Sequence, residues 1–570
     1  MKRNIIMSFV ALTSFVNAQT QLFIPDTLVG PNYSLNMHKD SVQFFPTGNI
    51  SRTYAYNSYK YLGPTLIFNK GSNVNISVNN QIADTTTIHW HGIHLPSKWD
   101  GGPHTPILPN ANWNPKFTVM DNAATYWYHP HMHMKTAVQA IKGAAGLIIV
   151  RDPVEAALVL PRKYGVDDFP LIIQCQQYSS ANQALPLGMQ DSTILVNGVR
   201  ANYGYTVNAN MPAQVVRMRI LNASGERSFN FGFNGNKQFY QIASDGGLLN
   251  APNLTTRIRL APGERAEILL NLTGMNGQTL YLMSHASELP MGVQGGPTMP
   301  MPIWATPMNS PLNGIDFNIL KITVVPQMVN PVTTIPIILA ANVPYTIGQA
   351  NLKRTIRFTA DSAMVMDGPF YFNDSTFKMM RVDYQIPINN IEVWKLVNET
   401  MVAHPFHIHD VQFFVIDRNG NPPGPEERGR KDVVLVPPGD SLMFITKFED
   451  FTDSIIPFMF HCHILMHEDD GMMGQFMVRS NLTAIKETQL GNEIVNIFPN
   501  PAKNLITVNI EGSSDTPFDI IVHDLLGKTI YSEKKVKNKI NINSSDWNSG
   551  LYIISIQQYK RSINKKIIIE

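Results

Sequence analysis

Five His-x-His pairs constrain the possible folds of this chain more than any other feature of its sequence. They are His89/His91, His129/His131, His131/His133, His407/His409 and His461/His463. Scattering 16 histidines at random over 570 residues would give roughly half a pair. Because residues i and i+2 of an extended strand project to the same face, the pairs predict strands that present imidazoles two at a time.

Short strand-like runs dominate the rest of the chain. Segments such as "NVNISVNN", "GLIIVRD", "AQVVRMRILNAS" and "GQFMVRS" alternate or cluster apolar residues between turn-forming residues. Helical periodicity is scarce, and the 37 Gly and 39 Pro are spread along the sequence. A chain of this length should form roughly three or four domains. We therefore predict an all-β protein built of consecutive Greek-key β-sandwiches or barrels.

Domain limits are predicted where strands close and Pro-rich or polar segments follow. They give a first block at residues 19–155, a second at 156–330, a third at 331–482 and a C-terminal module at 490–570. The C-terminal module is richer in Lys and Asn and contains no histidine cluster, so we expect a small appended β-sandwich.

The N-terminal residues predict export. Lys2 and Arg3 precede an apolar run that ends in Val16-Asn17-Ala18, the pattern of a cleaved secretory signal over residues 1–18. No later run approaches the roughly 20 apolar residues of a transmembrane helix. The net charge of +2 and the 15% of charged residues do not indicate nucleic acid or a membrane surface as partner. We expect a soluble exported protein in which Cys175 is a buried strand thiol.

The segment "FHCHILMHEDDGMM" (460–473) contains the other cysteine between two histidines. On a strand, His461 and His463 would face one metal site while Cys462 faces another. A set of two histidines, a cysteine and a weak axial methionine is that of a blue-copper site. His467 and Met472 would complete it together with His404, which an odd interval separates from His407 and His409.

The remaining imidazoles predict a second metal site. Eight of them occur in four pairs: His89/His91, His129/His131, His407/His409 and His461/His463. They are too many for one metal and suit three coppers with two, three and three ligands. Zinc is the alternative metal, but a structural zinc site closes at four ligands and needs no blue-copper set beside it.

At these residues the chain resembles the three-domain multicopper oxidases, which include laccases, bilirubin oxidases and bacterial cuprous oxidases. The matching motifs are "TIHWHGIHLPSKWDGGP", "TYWYHPHMH", "HPFHIHDVQFFV" and "HCHILMHEDDGMM", and the resemblance covers residues 21–480. It implies three cupredoxin domains and four copper ions. It assigns His404, Cys462, His467 and Met472 to the type 1 copper, His89 and His407 to type 2, and His91, His129, His463 with His131, His409, His461 to the type 3 pair.

The resemblance also implies an activity, namely one-electron oxidation of a small donor coupled to four-electron reduction of O2 to water. Phenols, bilirubin-like molecules, Cu(I), Fe(II) and Mn(II) are the candidate donors. A copper-binding or structural cupredoxin protein without turnover is the alternative from another class. A copper nitrite reductase is disfavoured, because four His-x-His pairs exceed what its two sites need.

Three carboxylates are candidate site residues. Asp100 in "WDGGP" and Glu468 in "HED" match the family's proton-delivery groups, although either could instead orient a ligand. Asp432 in "GRKDVVLV" matches an acidic position beside the type 1 site and is expected to contact the donor. Of the other histidines, we expect His133 to lie next to the ligands, and His94 and His104 to hydrogen-bond locally.

Two further segments bear on substrate and location. The Met-rich segment 291–308 could bind cuprous ion or simply pack, and the long Met/His-rich insertion of relatives specialised for cuprous ion is absent. The C-terminal module resembles type IX secretion sorting domains in "FPNP", "DLLGK" and "SGLYIISI". That resemblance implies the secretion machinery as partner and a secreted or cell-surface location reached through the periplasm. We expect a monomer.

Overall fold

A computed structural model gives the structure of the chain and confirms the prediction of an all-β protein. It describes residues 18–186, 190–202, 204–298, 310–362, 365–366, 368–480, 494–511, 517–525, 527–558 and 561–570. The chain divides into two compact units, Met1–Leu482 and Thr483–Glu570. The predicted signal segment lies outside the described residues, apart from Ala18. No helix of the described residues has the length and apolar character needed to cross a membrane.

The first block is a sandwich whose sheets share one core. One sheet has the strand order Thr27–Val29, Thr65–Asn69, Gly146–Arg151, Thr125–His129, His89–His91. The other has the order Ser51–Tyr56, Asn32–Val42, Asn73–Asn80, Asn112–Trp113, with Lys116–Thr118 also paired to Asn73–Asn80. Strand Asn73–Asn80 shows how the sequence sets this layer, because its alternate residues Val74, Ile76 and Val78 are buried in the core.

The second block has a larger sandwich. One sheet has the order Ala18–Gln21, Tyr205–Pro212, Phe317–Val325, Thr279–Ser284, Phe229–Phe233, Ile258–Leu260, so the first described residues pair with the second block and not with the first. The other has the order Val199–Arg200, Thr193–Val196, Asp168–Tyr178, Val215–Asn222, Arg265–Asn271, Phe239–Ser244, Gly247–Thr255, with Ala184–Leu185 paired to Asp168–Tyr178. Cys175 lies buried in this core, as predicted.

The third block repeats the sandwich and places the histidine motifs on neighbouring strands. One sheet has the order Phe370–Phe372, Leu352–Ala360, Ile391–Asn398, Ser441–Lys447, Phe414–Arg418. The other has the order Tyr384–Pro387, Met473–Arg479, Phe458–Cys462, His404–Ile408, Val433–Val436. Phe406 pairs with Cys462 and His407 with His461, so one face carries the core and the opposite face carries imidazoles.

Short helices join the strands within these blocks. The α-helices of the described residues are Ser97–Asp100, Thr136–Ile141, Pro153–Ala156 and Leu465–Asp469. The 3₁₀ helices are Asn234–Asn236, Ala286–Glu288, Ile347–Gln349 and Pro425–Glu427. Helix Leu465–Asp469 packs on helix Thr136–Ile141, which brings the ends of the first and third blocks together.

The C-terminal unit is a small β-sandwich with its own core. One sheet has the order Ile494–Phe498, Leu505–Glu511, Lys539–Asn543, and the other Thr529–Val536, Phe518–Asp524, Gly550–Gln558, Arg561–Ile569. Their inward residues, among them Val508, Ile520 and Ile554, form one buried cluster. The unit therefore has the internal core expected of a separate domain.

Candidate metal centre

Four strands bring the His-x-His pairs of the first and third blocks together. His89–His91 runs antiparallel to Thr125–His129, with His89 opposite His129. His404–Ile408 runs antiparallel to Phe458–Cys462, with His407 opposite His461. Across the two blocks, His131 Nε2 lies 3.1 Å from His461 Nε2 and His89 Nε2 lies 3.5 Å from His407 Nε2. The imidazoles thus converge on one buried centre between these blocks.

Within the centre, potential ligand atoms fall into groups in which they lie within 4.8 Å of one another. The groups of histidines are His89, His407, His409; His91, His129, His463; and His131, His409, His461. The last two are the triads that the family resemblance assigns to the type 3 coppers, and the first contains the predicted type 2 pair.

Hydrogen bonds hold the imidazoles so that the ring nitrogen without a proton faces the centre of the cluster. Nδ1 lies 2.8 to 2.9 Å from a backbone carbonyl in four rings: His89 to Asp100, His129 to Pro130, His407 to Asp432 and His461 to Cys462. Because a carbonyl only accepts, Nδ1 carries the proton in each ring, and the Nε2 lone pair faces the centre. In this tautomer Nε2 is the nitrogen available to a metal.

Burial keeps these rings in the neutral form that ligates metals. Desolvation is the main cause that lowers the pKa well below its usual value, and repulsion between neighbouring imidazoles adds to it, in His91, His129, His131, His407, His409, His461 and His463. His463 is fully buried, and neither of its ring nitrogens has a hydrogen-bond partner among the described residues. A cation binds to the lone pair of a neutral imidazole nitrogen that has no other partner. The cluster therefore fits the copper ions of a trinuclear site.

A second group forms around Cys462 on the opposite face of its strand. His404 Nδ1 and His467 Nδ1 lie 3.5 and 3.6 Å from the Cys462 sulfur. Met472 is buried in the same core cluster as Cys462, and its carbonyl accepts the Cys462 N–H. Burial raises the pKa of the Cys462 thiol and lowers the pKa of His467 to about 3. Two neutral imidazoles beside a sulfur fit a blue-copper site, where the metal would displace the thiol proton.

Neighbouring side chains hold the two imidazoles of this group in place. Thr400 Oγ1 lies 2.9 Å from His404 Nε2, which leaves Nδ1 facing the sulfur. The Phe370 ring packs against His404 and His467, with centroids 4.7 and 4.6 Å away. The backbone N–H of Ile464 points at the Cys462 sulfur from 3.4 Å. The sulfur therefore lies in a buried pocket whose side chains fix the orientation of both imidazoles.

Asp100 and Glu468 both reach the histidine cluster. The Asp100 carboxylate accepts a 2.7 Å hydrogen bond from His409 Nδ1, and its backbone carbonyl accepts from His89. The Glu468 oxygens lie 3.4 Å from His131 Nδ1 and 3.3 Å from His461 Nδ1. Burial raises the pKa of Glu468 well above its usual value, which favours the protonated carboxyl. Asp100 therefore contacts two imidazoles of the cluster, and Glu468 lies between two others as a buried carboxyl that burial keeps protonated.

The prediction for Asp432 is wrong. It was expected to contact a donor beside the type 1 site, but its side chain is completely buried and no external donor can reach it. Its carboxylate pairs with Arg265 and lies 3.0 Å from His91 Nε2, at the histidine cluster. A buried carboxylate needs such partners. Both of them, Arg265 and His91, lie at the histidine cluster and not beside the Cys462 sulfur.

His94 and His104 bridge the first and third blocks. His94 lies 2.8 Å from Asp410 and 3.0 Å from Asp450, and His104 Nε2 lies 2.7 Å from Gln475. The expectation of local hydrogen bonds was therefore wrong for both, because their partners belong to the third block and are distant in sequence. His133 is in none of the metal-binding groups of the described residues, and its ring packs on Phe377.

Sequence reasoning missed Arg265 and Gly263 of the second block, which lie against the histidine cluster. The segment "APGER" contains no histidine or cysteine and resembles an ordinary turn, so its sequence gives no sign that it lies beside the cluster. Of the Met-rich segment, Met299, Met301 and Met308 lie outside the described residues, and Met291 is exposed.

Comparison with protein-family models covers most of the chain. Models described as multicopper oxidase match residues 40–155, 173–296 and 349–481. A model described as a secretion system C-terminal sorting domain matches residues 496–570.

Several similar proteins match this chain over most of the residues of the three blocks. The multicopper oxidase mco of Staphylococcus haemolyticus is 33% identical over 458 residues, covering 78% of this chain and 88% of that protein. The cell division protein FtsP of Escherichia coli is 29% identical, covering 76% and 87%. The solved structure of a laccase-like multicopper oxidase CueO from Ochrobactrum sp., described as active towards lignin model compounds, superposes with a TM-score of 0.69 and 29% identity over 80% of this chain and all of that one.

Proposed function

Because the chain belongs to the multicopper oxidase family, we propose that its two buried ligand groups are the copper sites of an O2-reducing oxidase. The type 1 site is formed by His404, Cys462, His467 and Met472. The trinuclear site is formed by His89, His91, His129, His131, His407, His409, His461 and His463. Copper held by the first group would supply single-electron oxidation of a donor, and copper held by the second would supply four-electron reduction of O2 to water.

The observation that carries this proposal is the position of Cys462. Its sulfur faces His404 and His467, while the residues before and after it, His461 and His463, belong to the histidine cluster. One strand end therefore provides a covalent connection between the two sites. A chain that only stored copper would not need a cysteine of one site bonded directly to two histidines of the other.

Oxygen reduction consumes protons, and the chain places an acid close to the cluster. Glu468 lies between His131 and His461, with its carboxyl buried and favoured in the protonated form. We assign it the role of proton donor during O2 reduction. Asp100 supports the same step by holding His409 and His89 in orientation.

Electrons from a donor would enter through His467. Its side chain is 7% exposed, whereas Cys462, His404 and Met472 are completely buried. A donor that passes an electron to a ring edge does not need to reach the metal itself, which favours small organic donors such as phenols. The lignin-model activity of the Ochrobactrum relative supports phenols as the first class to test. Bilirubin, Cu(I), Fe(II) and Mn(II) complete the panel, and turnover with metal ions alone would contradict the phenolic preference.

A second function is suggested by the similarity to FtsP, which is a cell division protein. A structural role would need no copper and no turnover. Oxygen consumption by the copper-loaded protein distinguishes the two functions.

The test of the proposed function compares the two cysteines of the chain. The copper-loaded wild type should be blue and consume O2 with a phenol. Cys462→Ser should abolish both the colour and the turnover, because the oxygen of serine does not replace the soft thiolate. Cys175→Ser is the matched control, since Cys175 is also buried but belongs to the core of the second block, and it should keep both. A wild type that binds no copper would refute the oxidase function.

The C-terminal sorting domain directs the chain to secretion or the cell surface. We extend this to a route in which residues 1–18 act as a signal for export through the periplasm before the sorting domain engages the secretion machinery. The basic and apolar pattern of those residues supports this route.

A further inference from the structure

We propose that Arg265 of the second block is a positioning residue for the histidine cluster, although that block supplies no imidazole to it. Through Asp432 it would hold His91 and His407 in the orientation that binds copper. This inference rests on the proposed function, because it concerns the geometry of the same trinuclear site.

The Arg265 guanidinium is buried with every N–H donor satisfied. Nε donates to the Thr125 carbonyl at 3.0 Å. Nη1 donates to the Gly263 carbonyl at 3.0 Å and to Asp432 Oδ1 at 2.6 Å, and Nη2 donates to the Asp245 carbonyl at 3.0 Å and to Asp432 Oδ2 at 2.6 Å. Thr125 belongs to the first block, Gly263 and Asp245 to the second and Asp432 to the third, so one side chain joins all three.

Asp432, which Arg265 holds in place, contacts two imidazoles of the cluster. Its Oδ1 lies 3.0 Å from His91 Nε2, and its backbone carbonyl lies 2.8 Å from His407 Nδ1. A carboxylate accepts hydrogen bonds, so His91 carries its proton on Nε2. His91 Nδ1 is then the nitrogen that faces His129 Nε2, 3.4 Å away. Outer partners of this kind set the tautomer and the ring orientation of a ligand.

Two glycines leave room for close contacts around Arg265, one beside its ion pair with Asp432 and one beside the histidine cluster. Gly92 follows His91 with a φ of +85°, and a Cβ there would lie 2.4 Å from Asp432 Oδ2 and 2.7 Å from Arg265 Nη2. Gly263 also has a φ of +85°, and a Cβ there would lie 2.8 Å from the His463 ring. The turn that carries Arg265 thus forms a wall of the cluster as well as supporting it.

Lysine cannot replace this arginine. An ammonium group would keep the charge, but it has three donors in place of five and cannot make the paired contacts to Asp432. Arg265→Lys should therefore free Asp432 and loosen His91 and His407. Changing an outer partner of a metal ligand typically weakens metal affinity by about 10- to 100-fold.

The control is Lys431→Gln. Lys431 is a buried cation next to Asp432 in the chain, and it joins the third block to the second by pairing with Asp245 and Glu264 at 3.0 and 2.9 Å. No hydrogen bond described for its side chain reaches Asp432 or an imidazole. Its loss should lower stability without changing the cluster.

The experiment titrates the copper-loaded full-length proteins with a copper chelator and follows copper content, the blue absorption and the type 2 electron paramagnetic resonance signal. Arg265→Lys should lose trinuclear copper at a chelator concentration about 10- to 100-fold lower than the wild type, with the blue absorption per folded chain retained. Lys431→Gln should match the wild type.

Two results would overturn the inference. One is an Arg265→Lys protein with wild-type copper retention and an unchanged type 2 signal. The other is equal copper loss in Lys431→Gln, which would show a general effect of weakening the contact between the blocks. If Arg265→Lys does not fold, Asp432→Asn takes its place, and wild-type retention in that variant also overturns the inference. Failure of the proposed function itself looks different, because the wild type would then bind no copper.

Discussion

At the scale of single residues, hydrogen bonds to fixed acceptors decide which nitrogen of each imidazole is available. Backbone carbonyls take the Nδ1 protons of His89, His129, His407 and His461, whereas the Asp432 carboxylate takes the Nε2 proton of His91. The rings are therefore prepared for metal binding before any metal arrives. Little reorganisation should be needed when copper binds.

Glu468 gives a prediction at this scale. Glu468→Gln keeps the size of the side chain but cannot deliver a proton, so O2 reduction should slow by about 100-fold. Reduction of the blue absorption by a phenol under nitrogen should keep its wild-type rate, because the Glu468 carboxyl faces His131 and His461 of the histidine cluster, whereas the donor is proposed to meet the ring of His467. Stopped-flow measurement of both half-reactions tests this. Unchanged reoxidation by O2 would remove the proton role.

His94 gives a second prediction, on the pH dependence of stability. Burial alone would lower the pKa of His94, but the carboxylates of Asp410, Asp121 and Asp450 outweigh it and raise the pKa to about 10. Since the folded value exceeds the usual 6.5, its contribution is complete below that pH and is lost as the pH rises towards 10. Burial raises the pKa of Asp121 to about 7 and that of Asp410 to about 6, so these two carboxyls are mostly ionised at the alkaline end of the range, where comparison with a His94 variant isolates the contribution of His94.

Thermal unfolding of the metal-free protein between pH 7 and 10 measures this slope. The unfolding free energy of the wild type should fall by up to about 1.4 kcal/mol per pH unit more steeply than that of His94→Gln. Parallel curves for the two proteins would show that His94 is not the titrating group.

At the scale of elements, the alternation of strand residues separates the two copper sites. Phe406 and Cys462 point into the core of the third block, and His407 and His461 point to the first block. His404 shares the side of Cys462, as its odd interval from His407 predicts. The Pro405 between them does not disturb this parity.

Two short helices extend the contact between these blocks. The Asp469 carboxylate accepts hydrogen bonds from the backbone N–H groups of Thr136 and Ala137, at 3.1 and 2.9 Å. Helix Leu465–Asp469 thereby caps the N-terminus of helix Thr136–Ile141, which follows the His129 and His131 motif. The cap crosses from the third block to the first.

Asp469→Ala should therefore destabilise the protein by about 1 kcal/mol, the usual effect of losing an N-terminal helix cap. Asp469→Asn retains an acceptor and should lose less. Denaturant unfolding of the three proteins in the metal-free state gives the comparison. An alanine variant as stable as the wild type would show that the cap adds nothing to the contact.

At the scale of the whole molecule, the second block supports a site to which it gives no ligand. Its strand Val215–Asn222 carries the buried Arg217 and Arg219, which pair with Glu155, Glu267 and Asp168. Buried ions are costly unless they are paired, and each of these guanidinium groups has carboxylate partners. Arg265 begins the neighbouring strand and reaches the histidine cluster from it.

The division of the chain into two units gives the prediction at this scale. A chain ending at Leu482 keeps the core of each oxidase block, so copper content and turnover should match the full-length protein within about twofold. It should accumulate inside the producing cell, because the sorting domain is missing. Activity assays on the purified truncation and cell fractionation test the two parts. A folded but inactive truncation would show that the C-terminal unit contributes to catalysis.

The sequence alone determined the residue types, their spacing and the strand parity. These identified copper, separated Cys462 from its neighbouring histidines and predicted β-sandwiches, because side-chain direction along a strand is a local property. The sequence could not determine which distant residues meet. Only the tertiary structure placed Asp432 beside His91, joined His94 to Asp410 and Asp450, and brought Arg265 to the cluster. Those contacts connect residues far apart in the chain, and they depend on how the three β-sandwich blocks pack against one another.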